Sequence, residues 1–208
     1  MSTNLALIAH DLKNALGVLE CELAAMIDNP TPVGAETAHL HCADLRRQFT
    51  QFLTLYSAES GQLRALCEDE SPLDLLHYLQ QVWQLKAYAE GRHLTVSVEA
   101  EAAAPPFWYF DRRLVQLALD AALHNAMRFA QHAVRLSVQS ESGWLVWRIT
   151  DDGPGFDATD PDAAHATGLG TALSRAVAEA HRSGDRQGSI ALTRDEAGGG
   201  TQFSLTLP

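Results

Sequence analysis

Two apolar stripes in the first 66 residues, stepping alternately by four and three positions, constrain the fold more than any other feature of the chain. Leu5, Ala9, Leu12, Leu16, Leu19, Leu23 and Met26 form the first, and Ala38, Cys42, Leu45, Phe49, Phe52 and Tyr56 the second. Such steps return to one side of a helix every seventh residue, so each stripe reads as the seam of a helix packed beside another. Between them, Asp28 to Gly34 (DNPTPVG) holds two prolines and a glycine, which stop one helix and start the next. A single two-helix hairpin has little to bury both stripes against. Pairing with a second copy in a four-helix bundle resolves this, and a homodimer is the expectation.

From Glu68 the pattern changes. Ser71 before Pro72 is a cap with proline at the first helical position; Leu75, Leu79, Val82, Trp83 and Leu85 follow at helical spacing, and Gly91 closes the helix. The segment from Leu94 to Ala100 alternates as a strand. A helical stretch follows Asp111, and two strands then flank a turn at Glu141-Ser142-Gly143. A glycine-rich loop, a loop entering a helix after Ala166, and a closing hairpin around residues 195–200 complete the chain. Helices alternating with antiparallel strands predict a two-layer α/β sandwich. The expected fold class is α+β, with a helical hairpin over residues 1–66 and the sandwich over 67–208.

Composition narrows the function classes. Asp and Glu number 26 against 15 Lys and Arg, for a formal charge of −11. That sign argues against nucleic-acid partners and against an anionic membrane surface. No apolar run approaches the ~20 residues of a membrane span. The three cysteines are widely spaced and form no CxxC pair, so neither a disulfide framework nor a zinc site is expected. The acid and histidine near the start do not suit a secretory signal. A cytoplasmic location is the expectation.

Four groups of residues carry chemistry. His10 lies beside the first stripe and faces solvent, with Asp11 next to it and Asn14 one turn on. A neutral imidazole is a competent nucleophile at pH 7, and a neighbouring carboxylate can fix its tautomer. Asp151-Asp152-Gly153-Pro154-Gly155-Phe156 combines an acid with glycines that let backbone approach a flat ligand. Taken alone, it is also an ordinary turn sequence. Gly168 and Gly170 precede a long helix, where N–H groups and the helix dipole favour phosphate. Asn125, Arg128 and Phe129 share one helical turn, offering an oxygen to Mg²⁺, a charge to phosphate and a face to a base.

The order of these segments is more informative than any one of them. HDLKN, NAMRF, DDGPGF, TGLGTA and GGGTQFSLTLP, in that sequence, resemble the cytoplasmic core of two-component sensor histidine kinases over essentially the whole chain. HDLKN resembles the phosphoacceptor box, LHNAMRF the N box, ITDDGPGF the first glycine box and ATGLGTALSRAVAEAH the second. The resemblance implies a kinase core that phosphorylates His10 from Mg-ATP and passes the phosphate to an aspartate on a response-regulator receiver domain. It implies that Asp11 is the acid–base partner and that Asn14 positions water when phosphate is removed from the regulator. Asn125 would ligate magnesium, Arg128 contact phosphate and Phe129 neighbour the adenine. Asp151 would read the adenine amine, with Gly153 and Gly155 shaping the pocket and Thr167, Gly168, Leu169 and Gly170 forming the phosphate-side loop.

The chain also departs from that family. The first N-box asparagine is Ala121, with Asp120 turned about 100° away along the helix. The position that holds a glutamate base in ATP-hydrolysing relatives is thus alanine, which speaks against a stand-alone ATPase. The first glycine of the second box is Ala166, and only ten residues separate Phe156 from Thr167. His10 lies so early that no sensor domain is expected, and the signal would come from a separate protein. The alternative reading is a phosphotransferase or degenerate kinase that relays phosphate through His10 without ATP hydrolysis. Such proteins lose the adenine acid and the glycine loops, which are present here.

Overall fold

The computed structural model describes residues 3–155, 169–195 and 199–208. The chain divides into two compact units, Met1–Leu63 and Arg64–Pro208. In the first, α1 (Thr3–Asp28) and α2 (Pro32–Glu59) fold back on one another. Thr31 starts α2: its hydroxyl oxygen accepts the Gly34 N–H at 3.0 Å, and Pro32 fills the first turn, where no N–H is needed. Glu22 on α1 and the His41 ring on α2 meet at 2.8 Å.

The two stripes are only half covered. Leu5, Leu12 and Leu19 are buried, whereas Leu16 between them and Leu23 after them are 47% and 48% exposed. On α2, Ala38 is buried, but Phe49 is 51% exposed, Cys42 and Tyr56 are exposed too, and the buried positions include Leu55 and Gln51 instead. One partner helix covers one flank of a seam, so alternate positions are left uncovered by the hairpin alone.

The second unit is built on a five-stranded sheet in the order β2-β4-β5-β9-β8. Its strands are β2 (Thr95–Val98), β4 (Ala133–Glu141), β5 (Trp144–Asp151), β8 (Ser189–Arg194) and β9 (Thr201–Leu207). Three helices pack on it: α3 (Pro72–Ala89), α4 (Arg112–Phe129) and α5 (Leu169–Ala180). Leu75, Leu79, Val115, Leu119, Leu173 and Val177 from the helices are buried, as are Val134, Leu136, Trp147, Ile149 and Leu205 from the strands. Ser71 caps α3, accepting the Asp74 N–H at 3.3 Å. Ser142 and Gly143 both have positive φ, 50° and 74°, the backbone that matches the twist of a β4–β5 hairpin.

Three details differ from the sequence expectation. The sheet is mixed rather than antiparallel, because β2 runs parallel to β4 with Thr95 opposite Ala133. The chain between them passes through α4 and returns to the same end, as a parallel pair requires. On α3, Val82 and Leu85 are exposed, and Leu76 and Ala87 are buried in their place. Small strands also form where no alternation announced them: β1 (Glu68–Glu70) pairs with β3 (Trp108–Phe110), and β6 (Arg182–Ser183) with β7 (Arg186–Gln187). No helix among the described residues is long and apolar enough to cross a membrane.

Candidate functional site

α4 and α5 meet β5 and β9 around a cavity of about 230 Å³. It is lined by Asn125 and Phe129 from α4, Asp151 and Gly155 after β5, Gly170 and Ser174 from α5, and Thr201 and Phe203 from β9. Five residues singled out from sequence thus converge on one space, although they lie up to 45 positions apart between Asn125 and Gly170. The volume is below the ~300 Å³ where whole-ligand sites begin, so it suits one ring system of a larger ligand.

Asp151 is the polar centre of this cavity. It ends β5 and is 5% exposed. Its Oδ1 accepts N–H groups from Gly153 at 2.9 Å and Thr201 at 3.3 Å. Burial pushes its carboxyl above the usual carboxylate range, and those two hydrogen bonds pull the other way. Gly153 is required by close packing: a Cβ there would stand 2.6 Å from the Phe129 carbonyl oxygen and 2.8 Å from Asp151 Oδ1. Gly155 has φ +76°, which favours glycine, and a Cβ would lie 3.1 Å from the Gly199 carbonyl. Asp152 faces away and accepts the N–H groups of Gln131 and His132. Burial opposes its charge, but hydrogen bonds from His132, Ala133 and Gln131 hold its pKa below the ordinary range.

α4 is set by Asp111, whose side chain accepts the Arg113 and Leu114 N–H groups at 3.0 and 3.1 Å. Its other oxygen accepts the Leu66 N–H at 2.9 Å. At the far end of α4, Asn125 is exposed into the cavity and Phe129 forms part of its wall. Arg128 does not line the cavity; its guanidinium lies 5.5 Å from the Phe129 ring centroid. Leu169 is buried in the core of the unit rather than lining the cavity. Ala121 packs where Gly170 comes close: a Cβ on Gly170 would be 3.5 Å from the Ala121 Cβ and 3.7 Å from Asn125 Nδ2. Asp120 is turned to α3, accepting the Trp83 indole N–H at 2.8 Å. Thr167, Gly168, Ala166 and the ten-residue stretch before them lie outside the described residues.

The nucleophile candidate belongs to the other unit. The His10 side chain is 63% exposed on α1. Its Nδ1 lies 3.2 Å from Asn14 Nδ2 and 3.5 Å from Asp11 Oδ1. Both neighbours address the same ring nitrogen and leave Nε2 open. Asp11 favours a proton on Nδ1 and hence a nucleophilic lone pair on Nε2; an amide donor from Asn14 favours the opposite tautomer.

Sequence reasoning missed Ala122, Ser174, Thr201 and Phe203 as cavity residues. Thr201 was within reach of the sequence: it opens the last strand directly after three glycines, a junction where backbone N–H groups are left for a side-chain acceptor. Among the described residues no group of three or more His, Cys, Asp and Glu is arranged to hold a metal ion. Asn125 supplies one amide oxygen at the cavity, which fits Mg²⁺ bound mainly through ligand phosphates and water.

Residues 110–208 match the model of the histidine kinase-, DNA gyrase B- and HSP90-like ATPases. The sensor protein RstB of Escherichia coli strain K12 is 27% identical over 97% of this chain and 47% of its own length. The sensor protein kinase CarS of Pseudomonas aeruginosa is 29% identical over 79% of this chain and 38% of its own. The chain therefore spans less than half the length of these relatives. Among solved structures, the Acinetobacter baumannii histidine kinase AdeS superposes with a TM-score of 0.73 at 23% identity, over 95% of this chain and 96% of AdeS. Full-length ShkA, solved with AMPPNP, gives 0.63 at 19% identity over 98% of this chain and 45% of ShkA. Residues 110–208 thus resemble the histidine kinase-, DNA gyrase B- and HSP90-like ATPases, and the chain as a whole is similar to sensor histidine kinases in sequence and to histidine kinase cores in fold.

Proposed function

We propose that the chain is an ATP-dependent protein-histidine kinase core that works as a homodimer and passes phosphate from His10 to a receiver-domain aspartate. The observation that carries the reading is Asp151: a buried carboxylate at a cavity of ring size, with one oxygen held by two backbone N–H groups. Such an acceptor suits the exocyclic amine of adenine. Phe129 and Phe203 would supply apolar wall for the ring, and Asn125 and Gly170, which line the same cavity, would meet the chain of phosphates. Mg²⁺, held in part by Asn125, would supply charge neutralisation for the phosphates.

In the reaction His10 Nε2 attacks the γ-phosphorus, an N–P bond forms, the bond to the β–γ bridging oxygen breaks, and ADP leaves. Asp11 stabilises the positive charge that develops on the ring by holding the Nδ1 proton. Catalysis of this type is mostly positioning and charge neutralisation. Asn14 reaches the same nitrogen, and its amide on Nδ1 would hold the ring in the less nucleophilic tautomer until Asp11 replaces it. The Asn14 amide would also serve to orient water when phosphate is taken from the receiver.

The test is incubation with γ-labelled ATP and Mg²⁺. Wild type should acquire acid-labile, base-stable phosphate. His10→Gln should take up none while keeping its ATP affinity, and Asp151→Asn should lose both. Acid-labile label on His10→Gln would assign the acceptor elsewhere, and ATP affinity unchanged by Asp151→Asn would remove the adenine assignment.

A further inference from the structure

The sheet presents alternate residues of its strands to the face opposite the cavity. There Arg135, Ser137, Arg148, Thr150, Gln202 and Asp195 border a polar groove of about 430 Å³. One contact in it is unusual for its reach. Arg135 lies on β4, and β5 and β9 separate β4 from β8. Its Nη2 nevertheless donates to Asp195 Oδ2, just beyond β8, at 2.9 Å. Asp195 in turn closes the base of the β8–β9 connection. Its N–H donates to the Gly200 carbonyl at 2.9 Å, and its own carbonyl accepts the Gly199 N–H at 2.8 Å.

Gly199, Gly200 and Thr201 are the backbone against which the Asp151–Gly155 loop is packed. The Thr201 N–H reaches Asp151 Oδ1. A Cβ on Gly155 would meet the Gly199 carbonyl, and one on Gly200 would run into the Asp151 carbonyl. A shift of this connection therefore moves a hydrogen-bond donor of the buried acid.

We infer that Arg135 is a positioning residue for nucleotide binding: through Asp195 it fixes the Gly199–Thr201 backbone that orients the Asp151 carboxylate, from the face of the sheet opposite the cavity. This rests on the adenine reading of Asp151. Arg135 also stands 3.8 Å from Glu99, an exposed acid bordering the same groove, which is outside the path through Asp195 and serves as a control.

The experiment compares wild type, Arg135→Ala, Arg135→Lys, Asp195→Asn, the Arg135→Ala/Asp195→Asn double variant and Glu99→Gln by ATP calorimetry. The nucleotide-free proteins are followed by amide exchange. Arg135→Ala and Asp195→Asn should each weaken ATP about fivefold, the upper end for a partly exposed ion pair, and the double variant should be no weaker than the worse single one. Arg135→Lys should recover most of the loss, and Glu99→Gln should match wild type. Exchange should quicken at the Gly199 and Thr201 amides in Arg135→Ala, with α4 and β5 unchanged. Unaltered affinity and exchange in Arg135→Ala overturn the inference. So do additive losses in the double variant, or exchange quickened throughout the unit, which marks a merely structural role. If wild type binds no ATP, the adenine reading falls, and the positioning role for nucleotide falls with it. The exchange at Gly199 and Thr201 still reports separately whether Arg135 anchors that backbone.

Discussion

Gly153 donates its backbone N–H to Asp151 Oδ1 at 2.9 Å, while its α-carbon is pressed so close to Phe129 that any side chain would collide with the Phe129 carbonyl. The same glycine thus orients the acid and seals the loop against the end of α4. Gly153→Ala should cost about 1–3 kcal/mol of stability, the range for forcing a methyl into a packed site. It should also displace Asp151. Denaturant unfolding together with ATP titration reads both effects; a variant that binds ATP as wild type and unfolds at the same midpoint would remove this account.

Asp151 is predicted to trade stability for binding. Its folded pKa is raised, so the folded chain binds protons more readily than the unfolded one. The stabilising part is full below the unfolded value of 3.8 and is lost as pH rises through the folded pKa. At neutral pH the ionised group therefore carries a net cost. Asp151→Asn keeps an oxygen for the Gly153 and Thr201 N–H groups and removes the buried charge. Its melting midpoint at pH 7 should equal or exceed that of wild type, while ATP affinity falls by an order of magnitude or more, as expected for a mismatched buried partner. A lower midpoint at pH 7 would show that the charge itself stabilises the unit.

A second titration runs in the opposite direction. The buried His181 ring donates Nδ1–H to the Val177 carbonyl at 2.8 Å and accepts the Asp111 N–H on Nε2 at 3.1 Å. Burial lowers its pKa below 6.5. The stability it provides is full above 6.5 and is lost as pH falls through the lowered folded value, because the unfolded chain takes the proton first. Protonation would place a hydrogen on Nε2 facing the Asp111 N–H. Urea unfolding at pH values from about 7.5 to about 5 should show a decline in wild type that is reduced in His181→Gln. Equal slopes in the two proteins would locate the decline in other histidines. Asp111 is held below the ordinary range by the Leu66, Leu114 and Arg113 donors despite its burial, so its own contribution is lost only below about pH 3.8.

The site was legible where local chemistry is encoded in short segments. Ser71-Pro72, Asp111 as the cap of α4, and Gly143 each shape the backbone within a few residues of themselves, and sequence placed the elements they start or close. The convergence of Asn125, Phe129, Asp151 and Gly170 was legible only through the order of their motifs, since nothing local to any one of them announces the others. What stayed hidden depends on pairings across the fold. The direction of β2 is set by the path of the chain through α4, and β1 is an acidic tripeptide that becomes a strand only because β3 lies beside it. Nothing in the sequence around Arg135 marks it apart from any polar residue alternating with apolar ones in a strand, and its link to Asp195, 60 positions on, exists only in the folded sheet.

The half-covered stripes lead to the prediction on assembly. Leu16 and Leu23 are about half exposed on α1, where Leu5, Leu12 and Leu19 of the same stripe are buried, and Phe49 is about half exposed on α2. Each is a stripe member at the spacing that closes a helix seam, so a second copy would cover them. Burying them would contribute roughly 1.5–3 kcal/mol per large side chain, and a glutamate in their place would bring an unpaired charge into the seam. Sedimentation should show wild type as a dimer at micromolar concentration, and Leu16→Glu/Phe49→Glu as a monomer with its ATP affinity retained, because neither residue lines the cavity. A wild-type monomer at that concentration, or a double variant that remains dimeric, would exclude a dimer through these stripes.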